Sequence, residues 1–253
     1  MTRQRFDLLS LQPAHVVWIC GLGLLLLSAS IPRSAVTTGR ISGTVALAGE
    51  VSFEGALPAP TPVDFGGDAY CTDQHPGGLS RQAVRTGEGG GLRDVIVYLR
   101  QAPTGTSGQR GEVILDQTKC EYAPRVLAVQ TGQTLVIRNS DATLHNVHVR
   151  SQRNREFNIG QPIRGITSRR TFENAEVGIH VSCDVHGWME GHMAVFDHPY
   201  FAVTSAEGSF SIDDVPAGEY VLEAWHPTLG VQQQSITVPA SGNAGVTFRF
   251  PGT

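Results

Sequence analysis

Along most of this chain apolar and polar residues alternate with a period of two, the signature of a β-strand, whose successive side chains point to opposite faces of a sheet. In DVIVYL, Val95, Val97 and Leu99 share one face. Similar short runs recur at Val113 to Leu115, Val126 to Gln130, Thr134 to Arg138, His145 to Val149, Ser168 to Phe172, Gly178 to Cys183 and Met193 to Phe196. Weaker strands are expected around Ile41 to Val45 and Val51 to Phe53, before a stretch rich in Pro and Gly. After His198-Pro199 the pattern restarts as FAVT, GSFSI, GEYVLEAW, QSITV and AGVTFRF, separated by Glu-Gly, Pro-Ala-Gly and Ser-Gly-Asn turn signals. Beyond residue 35 no segment carries a helical period. An all-β chain of two sandwiches is expected, the first closing near Asp197 and a smaller one following it.

The first 35 residues differ in kind. Arg3 and Arg5 precede an apolar run from Val16 to Leu27 that ends in Ser28, Ala29 and Ser30. This reads as a signal peptide or, if uncleaved, an N-terminal anchor, and it directs the chain to the periplasm or outside the cell. Cys20 does not read as a lipid attachment site, because bulky Trp18 and Ile19 stand where small residues are needed. Residues 36–92 then form an extension whose structure the pattern leaves open, 93–197 the first sandwich and 198–253 the second. The 29 Gly and 14 Pro suit many tight turns, and a formal charge of -4 offers no basic field, which excludes nucleic acid as a partner. Membrane contact is expected only through an uncleaved leader.

Export makes the cysteines informative. With Cys20 in the leader, three remain. Cys71 and Cys120 lie in the poorly patterned first half, whereas Cys183 ends a strand among His and Met residues. A disulfide between Cys71 and Cys120 is expected, leaving Cys183 as a thiolate. The competing reading of the first pair is a zinc site with His75, which lacks an evident fourth ligand.

CDVHGWMEGHMAV places a thiolate at Cys183, an imidazole at His186 and a thioether at Met189 within one tight loop. These donors can converge on one ion, and their softness selects copper. A fourth ligand must come from elsewhere, and His145 is the best candidate, opening a strand just after the polar turn SDATL. A binuclear centre would need a second Cys in the loop, so one mononuclear site is expected.

In two separated blocks the sequence resembles the cupredoxins, amicyanin and plastocyanin most closely. Asn139, His145, Asn146 and Val147 match the block in which an Asn closes one strand and His-Asn-Val opens the next. Cys183, His186, Met189 and Gly191 match the second block, with Gly187 standing where the amicyanin-type loop has Pro. The resemblance spans roughly Leu135 to Phe196 and implies that residues 93–197 form a Greek-key cupredoxin-like sandwich. Ala202 to Thr204, Gly208, Phe210, Pro216, Gly218, Tyr220 and Ala224 resemble the carboxypeptidase-regulatory-like (transthyretin-like) sandwich, an accessory or carbohydrate-binding-like module. Cupredoxin blocks joined to such a module look like bacterial proteins of the methylamine-utilisation type.

The resemblance implies a type 1 copper centre for one-electron transfer, with His145 buried and the ring edge of His186 presented to a redox partner protein. The alternative is a non-redox copper carrier, or an envelope module that binds glycan through its second sandwich. No nucleophile paired with a base is evident, and Asp213 and Asp214 fall in a turn, so an enzyme is not expected. Met193 is expected in the core and Trp188 as either a packed lid or a docking residue. His148 and His180 should face solvent, and His192, His198 and His226 should serve in ordinary hydrogen bonds rather than a second metal site.

Overall fold

The computed structural model describes residues 44–103 and 111–252. The expected signal or anchor in residues 1–35 lies outside them. Among the described residues, no helix is long and apolar enough to cross a membrane.

The first stretch contains β1 (Thr44–Glu54), β2 (Thr61–Pro62), α1 (Ala69–Gln74), β3 (Ser80–Arg81) and β4 (Ile96–Leu99). Next come β5 (Val113–Thr118), β6 (Glu121–Ala123), β7 (Val126–Gln130), β8 (Leu135–Asn139), β9 (His145–Arg150), β10 (Phe157–Gln161), β11 (Thr167–Arg170), β12 (Glu176–Ser182) and β13 (Glu190–Phe196). The last are β14 (Phe201–Val203), β15 (Ser209–Pro216), β16 (Gly218–His226), β17 (Gly230–Val238) and β18 (Ala244–Pro251). The expected all-β class holds.

The first sandwich packs a five-stranded sheet, in the order β10-β9-β12-β13-β7, against a four-stranded sheet, β11-β8-β5-β6. Its core includes Leu127, Val129, Leu135, Ile137, Val147, Val149, Ile179, Val181, Met193 and Val195. The second sandwich pairs the sheet β15-β1-β18 with the sheet β14-β4-β16-β17 around Leu47, Val51, Val97, Leu99, Ile212, Leu222, Phe248 and Phe250. A third cluster of Ile96, Tyr98, Val126, Ala128, Ala194, Phe196 and Phe201 joins the facing sheets of the two sandwiches, so the four sheets stack as layers.

Three expectations are corrected here. The segments around Ile41 to Val45 and Val51 to Phe53 belong, where described, to the single strand β1, which pairs parallel with β18 and antiparallel with β15. β4, placed by sequence in the first sandwich, pairs with β14 and β16 in the second. Strand pairing therefore crosses the expected divisions at residues 93 and 198. Alternation misled because β4 is buried on both faces: Val95, Val97 and Leu99 enter one core while Ile96 and Tyr98 enter another. Finally, residues 36–92 contain a helix, α1. At six residues it is too short to display a period, and it starts where Asp68 accepts a hydrogen bond from Cys71 N at 2.8 Å.

Two glycines ease the backbone of β12 and β13. Gly178, at φ +85, forms the bulge that shifts register between Val177 and Ile179 in β12. At Gly191, a Cβ would lie 3.0 Å from the Arg125 carbonyl oxygen, so a side chain there would push β13 away from the segment leading into β7.

Candidate metal centre

The site lies where β9 begins and β12 ends. β12 pairs with β9 on one side and β13 on the other, which brings the turn before β9 beside the loop joining β12 to β13. Asn139 shapes that turn: its Nδ2 donates to Thr143 O and Gln161 O at 2.9 and 2.8 Å, and its Oδ1 accepts from Asp141 N at 2.9 Å. The ligand loop closes on itself, with Met189 N donating to His186 O at 2.9 Å and Cys183 N to Met189 O at 3.1 Å.

Ligand atoms of His145, Cys183 and His186 all lie within 4.8 Å of one another, and all three residues are buried. The two Nδ1 atoms are 2.9 Å apart, and His186 Nδ1 is 3.8 Å from Cys183 Sγ. Met189, the fourth residue expected from sequence, is buried in the same core cluster as Cys183. Met193 is fully buried in that cluster, as expected.

Cys183 is set up as a thiolate. Burial alone would raise its pKa, but hydrogen bonds from His145 and His186 and from backbone amides bring it down to about 6. One of these amides is His186 N, 3.4 Å from the sulfur. Asn146 Oδ1 accepts from Asp184 N at 2.7 Å and lies 3.2 Å from Sγ, so the loop carrying Cys183 is tied to β9.

Both imidazoles meet a carboxylate on the side away from the sulfur. His145 Nε2 lies 2.9 Å from Asp141 Oδ2, and His186 Nε2 lies 3.2 Å from Asp68 Oδ2. Burial depresses the pKa of each ring, but the hydrogen bonds that His145 makes to Asp141 and Cys183, and His186 to Cys183 and Asp68, more than offset it and leave both raised. A carboxylate can only accept, so each Nε2 carries the proton. Both Nδ1 atoms then face each other and the Cys183 sulfur, where a shared proton bonds the thiolate or, once it is lost, the lone pairs are open to a bound cation. Two imidazoles, a thiolate and a nearby thioether fit a soft ion of the copper type.

His186 departs from expectation. Its side chain is 4% exposed, because α1 and the residues before it lie over the ring edge: Cys71 Sγ is 3.9 Å from Nε2, beside the Asp68 carboxylate. The resemblance placed this edge at the surface, and nothing in the loop reveals that a segment more than a hundred residues away folds back over it. Trp188 belongs to the same cover, half-buried, donating from Nε1 to Cys120 O at 3.0 Å and standing edge-on to Phe65 at 5.2 Å.

Cys71 and Cys120 are joined by a disulfide. They are therefore not zinc ligands, and His75 Nε2 instead bonds Lys119 O at 2.6 Å. Among the described residues, every cluster of His, Cys and acidic side chains able to hold a metal lies at this one end of the sandwich. His226 Nδ1 accepts from Thr228 N and Leu229 N at 3.1 and 3.2 Å, and His198 Nδ1 from Tyr200 N at 3.2 Å, so both have ordinary roles. His180 does not face solvent. It is half-buried against His192, 5.3 Å between ring centres, because the outer face of β12 lies beside β13. His148 is half-buried too, between Asp184 and Glu156.

Sequence reasoning missed Asp68 and Asp141. Asp141 had a local signal, four residues before His145 in a polar turn, but Asp68 had none.

The family described as Polysaccharide lyase family 4, domain II, matches residues 173–246, from just before β12 into β18. No curated protein matches the chain. Among solved structures, the Cu-containing nitrite reductase from Thermus scotoductus SA-01 is similar at 21% identity and TM-score 0.32, covering 38% of this chain and 25% of its own length. This chain thus spans about a quarter of that enzyme. A Cu(I) form of an amicyanin variant is similar at 23% identity and TM-score 0.30, covering 39% of this chain and 97% of amicyanin. The purple cupredoxin from Nitrosopumilus maritimus is similar at 22% identity and TM-score 0.29, covering 34% of this chain and 99% of its own.

Proposed function

We propose that this chain is an exported protein with one mononuclear type 1 copper site, and that it transfers single electrons rather than catalysing a reaction. The observation that carries this reading is the convergence of ligand atoms of the buried residues His145, His186 and Cys183 within 4.8 Å of one another. Met189, buried in the same cluster as Cys183, would supply a thioether as a fourth donor. Copper held this way supplies a Cu(I)/Cu(II) couple whose two states accept similar geometry.

The chain's own residues keep the reorganisation small. Asn146 ties the Cys183 loop to β9, and the Asp141 and Asp68 carboxylates hold the two rings from behind. Because the His186 edge is covered, exchange with a redox partner protein passes through the atoms over it, Asp68 Oδ2 at 3.2 Å and Cys71 Sγ at 3.9 Å from Nε2, with the Trp188 ring 4.9 Å away between centres.

Copper loading of the secreted chain, followed by metal analysis and an absorption spectrum, tests this. One copper per chain with an intense blue thiolate band is expected. A colourless chain holding one Cu(I) or Zn(II) would leave the copper carrier in its place. Glycan binding without metal would favour the envelope module.

A further inference from the structure

The histidine-facing carboxylates are held in a repeated arrangement. Asp68 Oδ1 accepts from Cys71 N at 2.8 Å while its Oδ2 meets His186 Nε2 at 3.2 Å. Asp141 Oδ2 accepts from Cys120 N at 2.7 Å and also meets His145 Nε2 at 2.9 Å. Each carboxylate is therefore fastened to the backbone N–H of one half of the Cys71–Cys120 disulfide and, through it, to the other. Asp141 is bound further by Lys119 N at 2.8 Å and by the Tyr70 hydroxyl at 3.1 Å. Tyr70 comes from α1, so the helix that covers His186 also braces the carboxylate behind His145.

Resting on the copper reading above, we infer that Asp68 and Asp141 are paired positioning residues for the metal, and that the disulfide-tied segment of α1 exists to hold them. A carboxylate accepting from the far nitrogen of a ligating imidazole fixes the tautomer and ring orientation and makes the near nitrogen a stronger donor. Here both histidines are treated alike. With the Cys183 thiolate, the pocket then places three negative charges around a single cation. Such a field favours the doubly charged ion over the singly charged one and holds the midpoint potential down. Asp141 is almost fully buried whereas the Asp68 side chain is 25% exposed, so water screens Asp141 less and its effect is the larger.

The decisive experiment compares the full chain with Asp141→Asn and Asp68→Asn, each nearly isosteric, with Asp68→Glu as the charge-conserving control. Voltammetry of the copper-loaded proteins reads the Cu(II)/Cu(I) affinity ratio, and nitrogen NMR of the metal-free proteins reads which ring nitrogen of His145 and His186 is protonated. Asp141→Asn is expected to lower that ratio roughly tenfold, raising the midpoint by about 59 mV for a one-electron couple. Asp68→Asn should move it the same way by less, Asp68→Glu should largely restore it, and all three should stay blue. The metal-free wild type should carry its protons at Nε2 of both rings. If Asp141→Asn fails to fold, Asp68→Asn and the tautomers carry the test alone. A blue wild type whose variants keep its midpoint would overturn the inference, as would rings protonated at Nδ1 and not at Nε2. A wild type that stays colourless with copper but shows both Nε2 protons would sink the copper reading and leave the positioning role standing.

Discussion

Leu47, Ile212 and Phe250 fill a second sandwich whose core is mostly apolar, with His226 buried beside Phe250, whereas the first sandwich, apolar in its middle, buries Gln117, Asn139, Asp141, His145, Gln161 and His186 toward one end. In the first case stability rises with apolar area removed from water, and a lost side chain costs what its volume is worth. In the second the buried polar groups are held by one another, apart from Gln117 Oε1, which has no partner: Gln161 bonds Gln117 Nε2 and Ile137 O, Asn139 bonds Gln161 O, and Asp141 bonds His145. One interior is a filler and the other a mechanism. Changes in the two should separate into effects on stability alone and effects on the metal.

The sharpest separation comes from Cys183→Ser. It should abolish the blue band entirely while circular dichroism stays that of the folded chain, since the sulfur is one of many contacts in its cluster. A variant that remains blue would remove Cys183 from the site.

Replacing Cys71 and Cys120 by Ala opens a loop with a sequence separation of 49. In the chain-entropy description this should cost about 4 kcal/mol, read as a lower denaturation midpoint. Because the disulfide holds the Asp68 and Asp141 anchors, the copper midpoint should move as well, which a purely structural bridge would not cause. Leu47→Ala should cost about 3 kcal/mol, within the usual range for a fully buried leucine, and leave the blue spectrum unaltered. A spectral change there would show that the two interiors are coupled.

His226 sharpens the comparison through pH. It is fully buried in the second sandwich, and burial together with the nearby Arg125 and Arg85, against Asp94, lowers its pKa to about 4. A histidine depressed on folding contributes stability that is complete above about 6.5, its unfolded value, and is lost as pH falls toward 4. Urea titrations from pH 7 to 4 should therefore show stability falling at up to about 1.4 kcal/mol per pH unit from this residue. His226→Gln should flatten that slope; an unchanged slope would show that the ring is not buried in solution.

The smallest effect is expected from methionine. Met193→Leu nearly conserves volume and should cost under about 1.5 kcal/mol with no change in potential. Met189→Leu should raise the midpoint while keeping the colour, because the axial ligand tunes such centres. The reverse pattern in voltammetry would reassign the axial sulfur from Met189 to Met193.

Much of the candidate site was legible because its information is local. Cys183, His186 and Met189 sit within one loop, so their spacing alone limits how far apart they can be, and the polar turn before it marked His145 as opening a strand. The cysteine pairing was legible by a different route, since export and an odd count left one thiol over. What escaped was everything that depends on distant segments meeting. β4 alternates like a one-faced strand, yet its polar-looking face with Tyr98 is buried against Phe196. Asp68 reaches His186 across a sequence separation of 118, and no periodicity marks such a meeting.

By itself, then, the sequence determined the strand-rich class, most strand positions and the donor types available to a metal, all properties of short windows in which side-chain period and chemistry decide the outcome. Only the tertiary structure decided which sandwich received β1 and β4, that His186 would be covered rather than displayed, and that a carboxylate would stand behind each histidine. The reason is physical: sheet partners and buried hydrogen bonds are chosen by complementarity between surfaces that exist only after the chain has collapsed, and a strand's pattern specifies that it has a buried face without specifying what will cover it.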